Sequence, residues 1–141
     1  MMNHEQTYTI QEVSQASGLP GSTLRYYEEI GLLDPVDRAG NGHRRYTNTD
    51  LRRLDLIIKL RLTGMSIDRM RDLVALYRGG KPTAGLRREM MEAHRQMVQA
   101  RVDELLDMLV FIDHKIDVYQ KQEAEYERER EEQNYEVSVA G

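Results

Sequence analysis

The chain has 141 residues, of which 31% are charged and 40% are hydrophobic, and its formal net charge is −4. It contains no cysteine, which excludes disulfides, thiolate metal sites and thiol-based sensing. No apolar run reaches the roughly 20 residues that span a bilayer, and the N-terminus lacks the pattern of a signal peptide, so we expect a cytoplasmic protein with no membrane partner.

The charge is distributed unevenly along the chain. Residues 1–78 carry 11 Lys or Arg against 10 Asp or Glu, a balance of +1, whereas residues 79–141 carry 9 against 14, a balance of −5. Residues 38–61 contain seven basic and two acidic side chains, a local charge of +5. A polyanion such as nucleic acid would be attracted to this segment, although a solvated surface can have the same composition.

The first two predicted helices are short and close together. Thr9 is followed three residues later by Glu12, the pattern of a capping box, and a glycine ends the helix that they begin. A second helix is predicted from about Ser22 to Ile30, with Leu24 and Tyr27 facing inward. Two short helices joined by a tight turn form a helix-turn-helix unit, although any helical hairpin shares this pattern.

A small basic hairpin is predicted next. Asn41-Gly42 is a typical two-residue hairpin turn, because both positions tolerate the positive φ that a type I′ turn needs. Arginines lie on both sides of it. After a helix-turn-helix, such a hairpin indicates a wing that binds phosphate beside the groove; the alternative is an ordinary surface hairpin.

Two longer helices follow. One is predicted from about Asp50 to Leu62, capped by Thr47, Asn48 or Thr49, and the other begins after Ser66. The positions expected to face inward are Leu51, Leu54, Ile57, Ile58 and Leu62 in the first and Met70, Leu73, Val74 and Tyr77 in the second.

A long helix is predicted from about Thr83 to Arg130, where there is no proline and only one glycine. Its apolar residues from Val98 to Tyr119 are spaced 4, 3, 4, 3, 4, 3, which predicts a coiled coil of three heptads. A second copy of the chain is the natural partner, so we expect a homodimer of undetermined helix orientation. The predicted dimerisation residues are Met91, His94, Val98, Val102, Leu105, Leu109, Ile112, Ile116 and Tyr119.

The sequence therefore predicts an all-α chain with three parts. Residues 1–78 form a winged helix-turn-helix DNA-binding domain, 79–130 form the dimerisation helix, and 131–141 form a flexible tail; Gly79-Gly80-Lys81-Pro82 marks the first boundary. His94 and His114 are 20 residues apart on one helix, which favours packing over metal binding. We expect no metal and no cofactor.

Several motifs in order resemble the MerR family of bacterial transcription regulators. The block from Thr23 to Leu33 is similar to the family's recognition helix, and Ile10-Gln11-Glu12-Val13 to the opening of its helix-turn-helix. The segment from Asn41 to Thr47 looks like its first wing, and Gly64-Met65-Ser66-Ile67 like the bend between its third and fourth helices. The resemblance covers about residues 8–77.

The resemblance implies which residues touch DNA. Arg25 would contact a base or a phosphate from the major groove, and Tyr26 would donate its hydroxyl to a phosphate, whereas Tyr27 would pack inward. Arg45 and Arg52 are added on charge alone. The full set of predicted DNA-binding residues is Ser22, Thr23, Arg25, Tyr26, Arg38, His43, Arg44, Arg45, Tyr46 and Arg52.

Two positions depart from the family pattern. His43 stands where the family often has tyrosine, so a phosphate contact there would depend on pH; a neutral surface side chain is the alternative. Pro20-Gly21 stands where the family usually has Ser or Thr, which removes a side-chain cap at a cost of about 1 kcal/mol.

The implied function is that of a homodimeric regulator which distorts a pseudo-palindromic promoter site so that RNA polymerase can engage it. Without cysteine, the effector is open: a small organic ligand at the dimer interface, a protein partner, or none. An architectural, excisionase-like DNA-bending protein and a coiled-coil adaptor are the alternatives. No motif of an enzyme is present.

Overall fold

The computed structural model describes residues 6–35, 40, 42 and 45–140. These residues form an all-α architecture with a small two-stranded sheet, followed by a long helix, as the sequence predicts. The elements in chain order are β1 (Tyr8–Thr9), α1 (Ile10–Ser17), α2 (Gly21–Glu29), β2 (Arg45–Tyr46), α3 (Asn48–Leu62), α4 (Ile67–Arg78), a 3₁₀ turn (Lys81–Thr83) and α5 (Ala84–Ala140).

Capping boxes begin two of the helices. Before α1, the Thr9 hydroxyl accepts from the Glu12 N–H at 3.2 Å and the Glu12 carboxylate accepts from the Thr9 N–H at 3.0 Å. Thr47 and Asp50 repeat this arrangement at α3, which therefore begins at Asn48, two residues earlier than predicted. Gly18, with φ of +75°, ends α1 in the left-handed conformation that glycine adopts without strain.

The sheet joins the start of the chain to the segment after the predicted hairpin. β1 and β2 are antiparallel, with Tyr8 opposite Tyr46 and Thr9 opposite Arg45. The sequence does not predict this pairing, because two-residue strands have too little periodicity to detect. The predicted turn at Asn41-Gly42 lies largely outside the described residues; Gly42 is described and has φ of +82°.

One apolar core packs the first four helices together. Leu24, Tyr27 and the α4 residues Met70, Leu73 and Val74 are buried, as predicted. The full buried set is Val13, Leu24, Tyr27, Leu32, Leu33, Tyr46, Leu54, Ile57, Leu60, Met65, Met70, Leu73 and Val74.

Two residues expected to face this core do not. Leu62 is 81% exposed and Tyr77 is 40% exposed, whereas Leu60, which was not expected to be buried, is only 5% exposed. Leu62 lies two residues after the buried Leu60, about 200° further around α3, and so faces away from the core. The buried face of α3 follows Leu54, Ile57 and Leu60 rather than the stripe that ends at Leu62.

The chain divides into two compact units, Met1–Gln96 and Met97–Gly141. The first thirteen residues of α5 thus lie in the same unit as the helix-turn-helix part, and the 3₁₀ turn that leads into α5 follows the predicted boundary at residue 79. α5 also continues to Ala140, ten residues beyond its predicted end. None of the helices in the described residues combines the length and the apolar character needed to cross a membrane.

Candidate nucleic-acid interface

The second helix of the helix-turn-helix presents one polar face. Leu24 and Tyr27 are buried on one side of α2, at 0% and 3% exposure. Ser22, Arg25 and Tyr26 are exposed, Tyr26 at 45%. A spacing of three and four residues places Ser22, Arg25 and Tyr26 on the same face of a helix. This face carries a hydroxyl, a guanidinium and a phenol, all of which can donate hydrogen bonds to base edges or phosphates.

A cleft beside this face lies between α1 and α2. Gln11 and Gln15, one turn apart on α1, line it together with Arg25. Glutamine side chains can bond to adenine or to phosphate, so both residues are candidates that the sequence analysis missed. The signal that could have found them is their spacing on the face of α1 opposite Val13, which is buried.

Gly21 begins α2 beside Ile10 of α1. A Cβ at Gly21 would lie 3.4 Å from Cδ1 of Ile10, which is ordinary van der Waals contact. Pro20 precedes the helix and makes no side-chain cap hydrogen bond, so the loss of the cap is confirmed.

The orientation of α2 is fixed from behind by α3. Nη1 of Arg61 donates to the buried Tyr27 hydroxyl at 2.9 Å. A buried phenol needs such a partner, because an unpaired buried hydroxyl costs about 1–3 kcal/mol. The inward placement predicted for Tyr27 is therefore confirmed. The hydrogen bond fixes the buried side of α2, opposite its exposed polar face.

Basic character continues onto β2. Arg45 is half-buried and lies close enough to Glu12 for its charge to be felt there. The pKa of Glu12 is lowered, first by the Thr9 N–H that donates to it, then by the Thr9 hydroxyl and by the charge of Arg45. Arg52 on α3 is exposed, and its Nη2 donates to the Thr49 hydroxyl at 3.1 Å.

Some predicted DNA-binding residues are not on this surface. Tyr46 is 1% exposed and part of the core, so the predicted phosphate contact is wrong: the residue faces inward because β2 pairs with β1 over the core. Arg38, His43 and Arg44 lie outside the described residues. Thr23 is half-buried, between the exposed Ser22 and the buried Leu24.

Asp34 ties the loop after α2 to two other helices. Its Oδ2 accepts from Nη1 of Arg53 on α3 at 2.9 Å, and its Oδ1 accepts from Nε of Arg78 on α4 at 3.0 Å. Nη2 of Arg78 also donates to the Gly31 carbonyl at 2.9 Å. Burial raises the pKa of Asp34, but the hydrogen bond from Arg78 and the charges of Arg53 and Arg78 outweigh burial and lower it overall.

A second group of contacts connects the end of α4 to the start of α5. The Thr83 hydroxyl donates to the Leu76 carbonyl at 2.6 Å and accepts from Nε of Arg87 at 3.1 Å. The Arg87 guanidinium lies 4.5 Å from the centre of the Tyr77 ring, and its Nη2 bonds to the Gly80 carbonyl at 3.3 Å. These contacts hold the 3₁₀ turn against both helices.

The predicted dimerisation residues are exposed in the single chain from Val102 to Tyr119, at 42% to 58%. Met91 is 39% exposed and Val98 is half-buried. His94 differs: it is 5% exposed, and its Nε2 lies 2.7 Å from the Thr63 hydroxyl within the same chain. The heptad spacing predicts that His94 lies in the seam between two copies, but its burial against Thr63 makes it a packing residue of the first unit.

The part of the chain that the structure describes contains no group of three or more His, Asp or Glu side chains arranged to hold a metal ion.

Comparison with known proteins relates these features to bacterial regulators. Residues 8–76 match the family described as "MerR HTH family regulatory protein", and residues 51–115 match "MerR, DNA binding". The HTH-type transcriptional regulator HmrR of Rhizobium leguminosarum bv. viciae is 35% identical over 107 residues, which cover 76% of this chain and 82% of HmrR.

Two solved structures are similar over most of their length. A putative MerR family transcriptional regulator from Listeria monocytogenes is 34% identical with a TM-score of 0.82, covering 92% of this chain and 98% of that one. HiNmlR, a MerR family regulator lacking the sensor domain and bound to promoter DNA, is 33% identical with a TM-score of 0.76, covering 84% and 94%.

Proposed function

The chain belongs to the MerR family of DNA-binding transcription regulators, and from this premise we propose that it acts as a homodimer on a pseudo-palindromic promoter site, which it distorts. The exposed face of α2 with Ser22, Arg25 and Tyr26 enters the major groove. The basic segment before β2, residues 36–44, binds the phosphates beside the groove. The partners of the chain are double-stranded DNA and a second copy of itself, and it recruits RNA polymerase at the promoter. It acts in the bacterial cytoplasm, where the DNA is.

The polar face of α2 is the observation that carries the proposal. Arg61 holds the buried Tyr27 from behind, while Arg25 and Tyr26 are exposed on the other side of the same helix. HiNmlR, which has a similar fold, is bound to promoter DNA. α2 is thus held in place on its buried side and presents hydrogen-bond donors on its exposed side. Recognition of bases in a groove requires both.

The exposed stripe of α5 supports the dimer. Leu105, Leu109 and Ile112 are about half exposed in the single chain, at 46%, 52% and 49%. At about 25 cal/mol per Å² of buried apolar area, covering such a stripe with a second copy is strongly favourable. Two helix-turn-helix units held by one dimer would read two half-sites at a fixed spacing.

The effector, where one exists, acts without a thiol because the chain has no cysteine. A small organic ligand at the dimer interface is our proposal for a signal, and constitutive action and a protein partner are the alternatives. Thermal stability of the dimer in the presence of candidate ligands would distinguish them, since a ligand that binds only the folded dimer raises its melting temperature.

A binding experiment tests the proposal directly. Duplexes bound by the wild-type protein are selected from a pool with random 20-base-pair centres, and affinity is measured by fluorescence anisotropy over a range of salt. Arg25→Ala should weaken binding to the selected duplex by about 5- to 150-fold, the value of a good bidentate base contact. Arg128→Ala, which removes the same charge from an exposed position on α5, is the control and should have little effect.

The outcomes separate the alternatives. If no sequence is enriched and Arg25→Ala changes nothing, the helix-turn-helix is only a packing unit and the chain is an adaptor. If binding is tight and bends the duplex but the bound genomic fragments do not lie in promoters, the chain is an architectural protein. Enrichment of a pseudo-palindrome in promoter regions is the result that we expect.

A further inference from the structure

The basic segment before β2 is attached to the core at both of its ends. At its C-terminal end, Tyr46 is buried and β2 pairs with β1. At its N-terminal end, Leu32 and Leu33 are 0% and 1% exposed, and their N–H groups donate to the Tyr27 carbonyl at 2.9 and 3.1 Å. Asp34 and Pro35 come next and directly precede the basic segment. Asp34 therefore lies at the N-terminal base of that segment.

Asp34 makes contacts that a solvated loop would not need. Its two carboxylate oxygens accept from two different helices, Oδ2 from Arg53 on α3 and Oδ1 from Arg78 on α4. The Arg53 side chain is only 16% exposed, which makes its charge-assisted bond stronger than one at the surface. Arg78 donates to two groups, because its Nη2 also bonds to the carbonyl of Gly31. Gly31 has a φ of +83°.

Arg78 also lies at the end of α4, beside the second group of contacts. Two residues after it, Gly80 accepts from Nη2 of Arg87, and one residue before it, Tyr77 packs under the Arg87 guanidinium. The Thr83 hydroxyl closes the turn by donating to the Leu76 carbonyl. One group of polar contacts thus joins the loop after α2 to Arg78, a second joins the start of α5 to Tyr77 and Gly80, and the backbone at the end of α4 connects the two groups.

We propose that Asp34 and Arg78 are positioning residues that fix the base of the basic segment to the end of α4, and that Arg87 extends this link to α5. This inference rests on the proposed function, since it concerns how the DNA-binding segment is held. The start of α5 and the base of the segment then act as one element. A change at the start of α5 on dimerisation or effector binding would then reach the phosphate-binding segment through Arg87 and Arg78.

Replacement of Asp34 gives a test in which electrostatics and positioning predict opposite signs. Asp34→Asn removes a negative charge, so simple attraction between protein and DNA predicts tighter binding. If Asp34 positions the segment, binding to the selected duplex weakens instead, by about fivefold. Asp72→Asn is the matched control: Asp72 lies on α4 in the same groove as Arg78 and Gly31, and has no ion pair within the described residues.

Arg78→Lys keeps the charge but cannot make both bonds of the guanidinium. We expect it to weaken binding as Asp34→Asn does, with the slope of log Kd against log salt unchanged. If Arg78 instead bound a phosphate directly, Arg78→Gln, which removes the charge, would lower that slope by about 0.9. A lowered slope would therefore overturn the positioning role of Arg78, and a gain in affinity for Asp34→Asn would overturn that of Asp34.

The link to α5 is tested by a double-mutant cycle of Asp34→Asn with Arg87→Lys. Distant, independent substitutions combine within about a factor of two; the proposed link predicts that the double variant departs from the product of the single effects by more than threefold. Asp34→Asn with Arg88→Lys is the control cycle, since Arg88 pairs with Glu92 on the exposed face of α5. Independent effects in both cycles would overturn the link.

A separate readout follows the shape of the DNA. Donor and acceptor dyes at the two ends of the selected duplex report its bending, and at saturating protein we expect Asp34→Asn to reduce the change in transfer efficiency that the wild type causes. If the wild type selects no duplex, the proposed function fails. If the wild type binds and bends the duplex and Asp34→Asn does the same with equal affinity, only this inference fails.

Discussion

The two compact units of the chain differ in how far their apolar side chains are exposed. In the first unit, Leu24, Ile57 and Leu73 are at most 2% exposed. In the second, Leu105, Leu109 and Ile112 are about half exposed, although they follow an equally regular period. A regular apolar period therefore tells which residues must be covered, but not whether the same chain covers them. Four predictions test this contrast, beginning with the largest expected effect.

Leu105→Asp together with Leu109→Asp should abolish dimerisation and specific DNA binding. Two carboxylates in a closely packed seam would have to be desolvated without partners, and a monomer presents only one helix-turn-helix to a two-part site. Molecular mass from light scattering and binding to the selected duplex are the measurements. Asp107→Lys, on the opposite side of the predicted seam, is the control; a monomeric variant that still bound specifically would disprove the dimer.

Leu24→Ala should destabilise the chain by about 2–5 kcal/mol, because its side chain is fully buried and leaves a cavity. Leu62→Ala removes the same atoms from a side chain that is 81% exposed, so its effect should stay within about 0.5 kcal/mol. Urea unfolding of both variants measures the difference. Equal losses would mean that Leu62 is covered in solution.

Thr63→Val should cost about 1–3 kcal/mol, because it leaves the buried Nε2 of His94 without its partner. Thr63→Ser, which retains the hydroxyl, should lose much less. The same unfolding measurement applies, and hydrogen exchange in the first turns of α5 should rise in Thr63→Val alone. Unchanged stability would contradict the inclusion of those turns in the first unit.

The smallest expected effect is the dependence of stability on pH through Asp34. The folded-state pKa of Asp34 is lowered, so Asp34 adds stability above its unfolded pKa of about 3.9 and loses this contribution as the pH falls through the folded value. Asp34 is 46% exposed, which limits the gain to about 1 kcal/mol at pH 7. The stability difference between wild type and Asp34→Asn should therefore shrink below about pH 4, whereas Asp55→Asn, at an exposed pair with Lys59, should show little difference at any pH.

The features that the sequence predicts are local ones. The capping box of Thr9 and Glu12 and the inward positions Leu24 and Tyr27 depend on neighbours within one or two helical turns, and the structure has them as expected. The family resemblance was likewise carried by short blocks, and comparison with known proteins confirms it. Such features survive whatever the rest of the chain does.

The features that the sequence analysis missed are contacts between distant segments. Tyr46 is assigned to DNA because the family resemblance places it in the wing that contacts phosphates, yet pairing of β2 with β1, nearly 40 residues away, turns it into the core. Asp34 has no role among the sequence-based predictions, and its bonds to Arg53 and Arg78 span 19 and 44 residues. No local period encodes such partners, so only the folded chain identifies them.

The packing of His94 has a practical consequence for dissection of the molecule. A fragment cut at Arg78, the boundary that the sequence suggests, would lack Met90, which packs on the core, and His94, which bonds to Thr63. A fragment that ends at Gln96 would retain both while omitting the stripe from Val98 onward. We therefore expect a DNA-binding fragment to be more stable when it includes the first part of the long helix, because these two contacts then remain.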